Sequence, residues 1–456
     1  MNRKRYKLLL INPVNQRKTT VRREPLSIYP PISLGIIAGL TPPHWDVEIL
    51  DEIFEPFEYR EADLVGFTAL TPTVNRTYEL AAIYRKNKVP TILGGIHASM
   101  MPEEAMQYVD VVVKGEVENI WPELIRDFEK GQLKGFYDKN LPSLRNLVMP
   151  RMDLYHPGYG IGSIQTTRGC PMRCEFCSVH TFNGRKYRFR PVDEVIREYR
   201  QIPQERVAFV DDNLCGYSRR SARRLAEICK KIIDSGVKKK WFCSASMNIG
   251  ENPGLLKLMA KAGCQMIFLG IESDLADQLV SMNKRVNYRI GVDHFGNIYD
   301  NIHRAGIAVL GAFIFGLESD TPDKLRHRTE YILTSDVDAM QVTVLTPLPG
   351  TILYKRLAAE GRLLYTDYPQ DWERYNVTEL VYRPGLMEPQ EFEDVANECW
   401  NKLYNPKALS KRIIRTVKAT QSTEAAKWAY SANVQYHNIF LEEIRKRQDV
   451  KDLFKP

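Results

Sequence analysis

The segment Thr167-Arg-Gly-Cys-Pro-Met-Arg-Cys-Glu-Phe-Cys-Ser178 contains three thiols within eight residues. Cys170, Cys174 and Cys177 follow the spacing C-x3-C-x2-C. Three soft ligands on one short loop suit three irons of a cubane iron–sulfur cluster and leave the fourth iron open. Structural zinc sites instead take four ligands, usually as two separated CxxC pairs. The sequence has no second pair, and His180 is the alternative fourth ligand for such a zinc site.

Outward from this segment, the chain continues as a series of βα units that begins at Ser163. Six units are too few to close an eightfold barrel, so the pattern predicts a partial (β/α)6 barrel over residues 161–350. Functional groups of such a barrel gather where its strands end, and the cysteine segment follows the first strand. The expected strand ends are Gly169, Asn213, Met247, Ser273, Leu317 and Leu348.

An earlier βα series predicts a second α/β domain in front of the barrel. Five strands within residues 1–135 favour a doubly wound, Rossmann-like parallel sheet. Residues 136–160 contain several Pro and Gly and predict a linker, and residues 351–456 predict a mainly helical C-terminal domain. The expected strands are Lys7 to Asn12, Asp46 to Leu50, Asp63 to Thr68, Thr91 to Gly94 and Val109 to Lys114.

The cysteine segment resembles the CxxxCxΦC signature of the radical S-adenosylmethionine (SAM) superfamily, in which Φ is aromatic and is matched by Phe176. The resemblance implies a 4Fe-4S cluster on Cys170, Cys174 and Cys177, as catalytic residues and metal ligands. SAM would chelate the open iron, and an electron from the cluster would cleave SAM to a 5′-deoxyadenosyl radical. An external donor of flavodoxin or ferredoxin type would supply that electron.

The same resemblance assigns SAM contacts to the ends of the barrel strands. Asp211 or Asp212, in Phe209-Val-Asp-Asp-Asn213, would accept from the SAM ammonium, although an acidic residue there also suits a helix cap. Phe268-Leu-Gly-Ile-Glu-Ser273 is similar to a G-x-E-S motif of the cobalamin-associated branch, where the glycine permits close backbone approach. The assigned residues are Phe176, Asp211, Asp212, Ser246, Gly270, Glu272 and Ser273.

The loops of the first domain resemble the cobalamin-binding domain that precedes many radical SAM barrels. The matched positions are Thr68, Leu70, Gly94 and Gly95, which in that family lie along the corrin and its nucleotide tail. A glycine pair also suits an ordinary tight turn. The D-x-H-x-x-G motif that supplies a histidine to cobalt is absent, since Asn12-Pro-Val-Asn-Gln16 occupies the first loop. The expected cobalamin would therefore lack that ligand.

The net charge of +8 is concentrated at the two ends of the chain. Residues 1–30 hold eight Lys or Arg against one acidic residue, and residues 401–456 hold twelve against five, so the middle is net acidic. This distribution argues against a nucleic-acid partner. Two interpretations of the basic ends stay open. They are solvated tails, or the basic helix expected over Ala408 to Ala419 makes peripheral contact with a membrane.

The sequence indicates a cytoplasmic protein, with peripheral membrane contact as the open alternative. No apolar run approaches the ~20 residues of a membrane span. The apolar run near the start ends at Asn12, too early for a signal peptide. The remaining cysteines are scattered singly and are expected to be reduced and buried.

The leading hypothesis is cobalamin-dependent radical methylation of an unactivated carbon in a small-molecule, lipid or isoprenoid substrate. Gly361-Arg-Leu-Leu364 and Asp371-Trp372 resemble the subgroup with hopanoid and lipid-modifying enzymes. Radical C–C coupling, cyclisation or rearrangement is the alternative within the same chemistry. A non-catalytic cobalamin or metal carrier is the alternative from a different class. A methylthiotransferase would need a further cysteine trio, and no cysteine precedes Cys170.

Overall fold

The computed structural model describes residues 5–15 and 28–453, with side chains as far as residue 440. The basic residues expected to form the charged chain ends therefore lie in part outside the described residues. No helix within the described ranges is both long and apolar enough to span a membrane.

The first sheet has six parallel strands in the order β2-β1-β3-β4-β5-β6. The four inner strands are short apolar runs that are largely buried, as the centre of a parallel sheet requires, and the two edge strands are partly exposed. The strands are β1 Tyr6–Asn12, β2 Trp45–Asp51, β3 Leu64–Thr68, β4 Thr91–Gly94, β5 Val111–Lys114 and β6 Phe136–Asp138. The helices are α1 Ile32–Leu40, α2 Val74–Lys86, α3 Ile96–Met100, α4 Pro102–Tyr108 and α5 Trp121–Glu129. This is the doubly wound arrangement that the sequence predicted, with its switch point between β1 and β3.

One strand of this sheet was not predicted. β6 pairs in parallel with β5, so the sheet continues to Asp138 and takes in the start of the expected linker. The strand has only three residues, Phe136 to Asp138, and two of them are exposed. A run this short carries no periodicity that the sequence could reveal.

The second sheet also has six parallel strands, in the order β7-β10-β11-β12-β13-β14. This is the predicted partial (β/α)6 barrel. The strands are β7 Ile161–Ile164, β10 Arg206–Phe209, β11 Lys240–Ala245, β12 Cys264–Glu272, β13 Ala308–Phe315 and β14 Ala339–Val344. Between β7 and β10, β8 Thr167–Arg168 and β9 Arg188–Phe189 form a small antiparallel hairpin. The helices are α6 Val179–Phe182, α7 Val192–Gln201, α8 Arg219–Asp234, α9 Pro253–Lys261, α10 Ala276–Ser281, α11 Arg285–Ile290, α12 Phe295–His303 and α13 Pro322–Thr334.

The C-terminal region covers both domains. Its helices are α14 Ile352–Ala359, α15 Pro389–Leu403, α16 Pro406–Thr420 and α17 Thr423–Leu453. α17 packs Ala425, Trp428 and Ala429 against barrel strands. The segment 361–388, between α14 and α15, is mostly non-helical and places Trp372 and Tyr375 in the core of the first domain. The expected helical domain is therefore interrupted by an irregular strap, because this stretch packs through its aromatic rings.

Candidate functional site

A cavity of about 320 Å³, here called the cysteine cavity, opens at the edge where the barrel strands end. Parallel strands bring their carboxyl ends to one edge, so residues distant in sequence meet there. Eight predicted residues line this cavity: Cys170, Cys174, Phe176, Cys177, Asp212, Ser246, Gly270 and Glu272.

The cysteine loop, residues 169–178, is placed by the β8–β9 hairpin. Gly169 has φ +89°, and a Cβ there would lie 2.3 Å from the carbonyl oxygen of Lys186. Only glycine fits this turn. The backbone N–H of Cys170 then donates to the carbonyl of Gly184 at 3.1 Å, which fixes the start of the loop.

The three loop thiols differ from the other five cysteines. They are half-buried and line one cavity, whereas the other five are buried and do not line it. Burial raises the pKa of Cys174, and it raises the pKa of Cys177 to about 12, so both free thiols are protonated. A cationic metal centre would reverse this preference and take them as thiolates.

The donor set fits a cubane cluster. Its three thiols line one cavity, and in a cubane each cysteine binds a different iron. Among the described side chains, no group of three His, Cys, Asp or Glu is arranged around one metal ion. The zinc alternative, which needs four converging ligands, is not supported by this arrangement.

An ion pair lies directly against Gly270 in the cysteine cavity. Lys284 Nζ donates to Glu272 Oε1 at 2.5 Å, and both side chains are largely buried. Glu272 has φ +69° at an irregularity in the β12–β13 pairing, which turns its side chain into the cavity. Burial alone would lower the pKa of Lys284, but the Glu272 carboxylate outweighs it and the pKa is raised. Lys284 is therefore protonated at neutral pH.

Lys284 and Tyr217 line the cavity and were missed by the sequence analysis. Ser246 Oγ donates to the Tyr217 hydroxyl at 3.0 Å, and that hydroxyl lies 3.7 Å from Cys170 Sγ. Tyr217 lies in the irregular segment after β10, and Lys284 lies between α10 and α11, so no spacing in the sequence pointed to them.

Two predicted SAM contacts face away from the cavity. Asp211 is buried, and its carboxylate accepts from Thr166 N at 3.1 Å and from Thr167 Oγ1 at 2.5 Å. Ser273 is also buried, donating to Gln278 Oε1 at 2.6 Å. Both side chains are committed to bonds within the barrel, and only the neighbouring Asp212 and Glu272 reach the cavity.

A second cavity, the interdomain cavity, lies between the edge of the first sheet and the barrel. Thr68, Gly94 and Gly95 line it on one side. Gly95 has φ +99°, and a Cβ there would lie 2.9 Å from the carbonyl oxygen of Ala69. A side chain at this position would therefore collide with the Thr68–Ala69 segment, and only glycine fits this turn beside the cavity.

Leu70 and His97 lie outside the interdomain cavity. Leu70 is 56% exposed and does not line the cavity, unlike the other three predicted positions. His97 is fully buried and hydrogen-bonded to Thr71 Oγ1 at 3.3 Å and to Glu104 Oε1 at 3.2 Å. No histidine stands among the described residues that line this cavity, in line with the absent D-x-H-x-x-G motif.

The two cavities are neighbours. Asp212 lines both of them, and desolvation raises its pKa to about 6. Buried ion pairs also join the two domains next to the cysteine loop. Arg168 on β8 donates to Glu116 at 2.7 Å and to Glu118 at 2.6 Å. These carboxylates follow β5, so the ion pairs hold the carboxyl-terminal edge of the first sheet against that of the barrel.

Comparison with known proteins identifies the domains. The model of the radical SAM superfamily matches residues 164–332, and that of the B12 binding domain matches residues 19–125. A domain of unknown function, DUF4070, matches residues 351–448.

Two relatives are similar over most of both chains. The bacteriochlorophyllide d C-12(1)-methyltransferase of Chlorobaculum tepidum is 27% identical over 90% of this chain and 90% of its own length. The hopanoid C-2 methylase of Rhodopseudomonas palustris is 26% identical over 91% of this chain and 79% of its own. The cobalamin-dependent SAM radical enzyme OxsB, solved with aqua-cobalamin and SAM, has the same fold, with TM-score 0.68, 15% identity and coverage of 99% of this chain and 82% of its own.

The domain matches agree with the geometry. A radical SAM domain carries a 4Fe-4S cluster and SAM, and its match covers the cysteine loop. The B12 binding match covers the loops that line the interdomain cavity. The chain is thus a radical SAM enzyme, and it belongs to the branch of that superfamily in which a cobalamin-binding domain precedes the barrel.

Proposed function

We propose that this chain is a cobalamin-dependent methyltransferase that adds a methyl group to an unactivated carbon of an apolar small molecule, lipid or isoprenoid. The observation that carries the proposal is the contact between the two cavities at Asp212. Radical methylation needs the site of hydrogen abstraction next to the methyl donor. The cysteine cavity would hold the first and the neighbouring interdomain cavity the second.

Cys170, Cys174 and Cys177 are proposed as the cluster ligands, with Phe176, Asp212, Ser246, Gly270 and Glu272 around SAM. The cluster with SAM would supply a carbon-centred oxidant, and cobalamin would supply the methyl group. The chain's own share is to hold charges and exclude water. Asp212 offers a carboxylate for the SAM ammonium, and Lys284 offers an ammonium for the SAM carboxylate. Thr68, Gly94 and Gly95 would lie against cobalamin.

Apolar substrate chemistry is supported by both the cavity and the relatives. Met172, Phe268 and Val286 line the cysteine cavity beside its charged groups. The relatives named for methylation act on bacteriochlorophyllide and on hopanoids. A largely hydrocarbon substrate would be held by such walls without specific polar contacts.

The reductant is proposed to be an acidic flavodoxin or ferredoxin. A groove of about 720 Å³, here called the arginine groove, runs beside the β8–β9 hairpin. Phe189 in this groove lies opposite Thr167, three residues and so about 10 Å of extended chain from Cys170. An acidic protein docked there would stand close to the cluster. The groove is lined by six arginines, namely Arg145, Arg188, Arg190, Arg220, Arg223 and Arg224, and by the acidic residues Asp193 and Glu227.

The products of SAM test the function. Anaerobically reconstituted protein, loaded with cobalamin and reduced, should form S-adenosylhomocysteine beside 5′-deoxyadenosine. Formation of 5′-deoxyadenosine alone would instead favour radical coupling, cyclisation or rearrangement. If neither product forms, or if the protein does not retain cobalamin, the proposal is wrong.

A pair of cysteine variants separates cluster loss from general damage. Cys174→Ala should abolish both products and the iron–sulfur absorption. Cys215→Ala removes a buried thiol that does not line the cysteine cavity. This variant should retain both products and the iron–sulfur absorption. Retention of 5′-deoxyadenosine by Cys174→Ala would remove the assignment of the cluster.

A further inference from the structure

Tyr217 places a phenol hydroxyl next to one of the three loop thiols. Its Oη lies 3.7 Å from Cys170 Sγ, within the range of a hydrogen bond to sulfur. The other two thiols meet backbone groups, since Cys174 Sγ lies 4.0 Å from a carbonyl oxygen and Cys177 accepts from a backbone N–H. Among the described side chains, Tyr217 therefore supplies the hydroxyl that is hydrogen-bonded to a loop thiol.

Two further hydrogen bonds decide where the Tyr217 hydroxyl can donate. Asn213 Nδ2 donates to Ser246 Oγ at 3.2 Å, and Ser246 Oγ donates to Tyr217 Oη at 3.0 Å. The Tyr217 oxygen is therefore an acceptor toward Ser246, and its own proton is left for the sulfur. The three residues form a chain of donors that ends on Cys170.

The backbone is ordered on both sides of Tyr217. Gly216, before it, has φ +64°, and a Cβ there would lie 2.7 Å from Ser221 Oγ. The Gly216 N–H donates to Asn213 Oδ1 at 3.1 Å, so the asparagine of the donor chain also holds this turn. Ser218, after it, is the N-cap of α8, where its Oγ accepts from Ser221 N at 3.1 Å. The tyrosine therefore leaves the backbone at a fixed turn, which limits the positions that its phenol can take.

We infer that Tyr217 donates a hydrogen bond to the cluster-bound thiolate of Cys170 and thereby makes the cluster easier to reduce. The inference rests on the proposed function, in which Cys170 is a cluster ligand. A bound thiolate can only accept, whereas a phenol, with an ordinary pKa of about 10, keeps its proton at neutral pH. The hydrogen bond at the Cys170 sulfur then has a single direction.

A hydrogen bond to a cluster sulfur favours the reduced state. Reduction by one electron adds negative charge to the cluster and its thiolates, and a hydrogen bond to a charged acceptor is stronger than one to a neutral acceptor. Hydrogen bonds to the sulfurs are among the factors that set the potential of an iron–sulfur cluster. Cleavage of SAM begins when an electron enters the cluster, so the Tyr217 hydroxyl assists that first step.

A redox titration of the reconstituted protein without SAM, followed by the EPR signal of the reduced cluster, tests the inference. Tyr217→Phe removes the hydroxyl and keeps the ring. Its equilibrium constant for reduction should fall about tenfold, which for one electron is a potential about 59 mV more negative. The matched control is Tyr331→Phe, which removes a hydroxyl that is hydrogen-bonded to Tyr299 at 3.1 Å and does not line the cysteine cavity. It should leave the potential unchanged.

Ser246→Ala tests the donor chain. The phenol keeps its bond to the sulfur but loses the neighbour that orients and polarises it. The equilibrium constant for reduction should fall in this variant too, but only about twofold. Ser246→Thr keeps a hydroxyl and should restore the wild-type potential. A wild-type potential in Ser246→Ala would remove the serine from the inference.

Binding of SAM separates this role from direct contact with SAM. Tyr217 also lines the cysteine cavity, so its hydroxyl has SAM as an alternative partner. If the hydroxyl bonds to the Cys170 sulfur, the Kd for SAM should change less than about twofold in Tyr217→Phe. A Kd raised about tenfold with an unchanged potential would assign the hydroxyl to SAM and overturn the inference.

The outcomes distinguish this inference from the proposed function. If the wild type forms no 4Fe-4S cluster, the assignment of the cysteines fails and the inference fails with it. If the cluster forms and Tyr217→Phe has the wild-type potential, the inference alone is overturned. If Tyr217→Phe assembles no cluster, Ser246→Ala decides, because it leaves the phenol in place.

Discussion

At Gly270 the space for a side chain is taken by an ion pair. An ideal Cβ at this position would lie 2.5 Å from Glu272 Oε1 and 2.7 Å from Lys284 Nζ. Both atoms are ends of flexible side chains, so Gly270→Ala should fold with the pair displaced. Since the pair faces the cysteine cavity, we expect the Kd for SAM to rise about tenfold, the value of one charge-assisted hydrogen bond.

Equilibrium binding of SAM to the cluster-loaded protein measures this change. Gly296→Ala is the matched control, because a Cβ there meets no atom within 4 Å. An unchanged Kd in Gly270→Ala would mean that the Glu272–Lys284 pair does not contact SAM.

The adjacent carboxylates Asp211 and Asp212 have separate roles. Asp211→Asn places an amide donor against the Thr166 N–H and the Thr167 hydroxyl, which now donate to the carboxylate. We expect it to lower the free energy of unfolding by about 2–4 kcal/mol. Asp212→Asn should change it by less than about 0.5 kcal/mol. Urea denaturation measures both, and equal losses would contradict the assignment.

The pKa of Asp212 also predicts how SAM binding depends on pH. Desolvation raises this pKa to about 6, so the carboxylate is charged above that pH and neutral below it. An attraction to the SAM ammonium is then present at pH 7 and is lost as the pH falls through about 6. The Kd for SAM should rise on acidification in the wild type, and this rise should be absent in Asp212→Asn.

Whether a site residue could be predicted depends on whether its position is set by sequence spacing or by local backbone geometry. The cysteines and Gly270 were accessible from the sequence, because their spacing and their place after strands carry the geometry. Asp212 and Glu272 were predicted together with Asp211 and Ser273, because alternation along a strand end does not decide which neighbour faces the cavity. The Glu272 backbone, with φ +69°, depends on a local irregularity that no pattern encodes.

At the scale of elements, the irregular strap of residues 361–388 joins the C-terminal region to the first domain. Trp372 is fully buried, stacks on Tyr368 with ring centroids 3.8 Å apart, and donates its Nε1–H to Glu104 at 2.8 Å. Trp372→Ala should lower the free energy of unfolding by about 3–5 kcal/mol. Trp372→Phe keeps most of the packing and should lose about 1.5–3 kcal/mol with the hydrogen bond.

Denaturation followed by tryptophan-independent circular dichroism measures the two losses. Tyr430→Ala is the control for removal of an aromatic ring, since Tyr430 is mostly exposed and should cost less than about 0.5 kcal/mol. If Trp372→Ala were as mild as this control, the strap would not hold the C-terminal region to the first domain.

Strands were easier to predict than their ends or their partners. The apolar runs of β7 and of β10 to β14 located every strand of the barrel, but the expected ends lie two to five residues too far in most cases, as at Asn213 against Phe209. α16 was predicted with correct bounds to within two residues, but its amphipathic pattern could not tell which face packs.

At the scale of the whole molecule, the fold concentrates positive charge in the arginine groove. The middle of the chain is net acidic in sequence, yet the fold gathers arginines from three segments into the arginine groove. The net charge of sequence segments could not reveal this cluster of arginines, because the arginines meet only after β9 and α8 pack together. Arg220 and Arg224 both lie over the ring of Phe189, at 5.6 and 5.2 Å, which fixes them beside the hairpin.

Charge reversal in this groove tests whether an acidic donor docks there. Arg220 and Arg223 line the groove at its surface, so Arg220→Glu/Arg223→Glu should leave the fold intact while repelling an acidic protein. The rate of cluster reduction by flavodoxin should fall at least about tenfold at low salt. In the wild type the same rate should fall as salt rises, because the attraction between exposed charges is screened.

Two controls separate docking from damage to the cluster. Dithionite is small and needs no docking surface, so its rate of reduction should be the same in the double variant and the wild type. Lys230→Glu reverses an exposed charge on α8 outside the groove and should slow reduction by flavodoxin only slightly. If the double variant slowed both reductants equally, the cluster itself would have been altered. If it slowed neither, the donor would approach the cysteine loop from another face of the barrel.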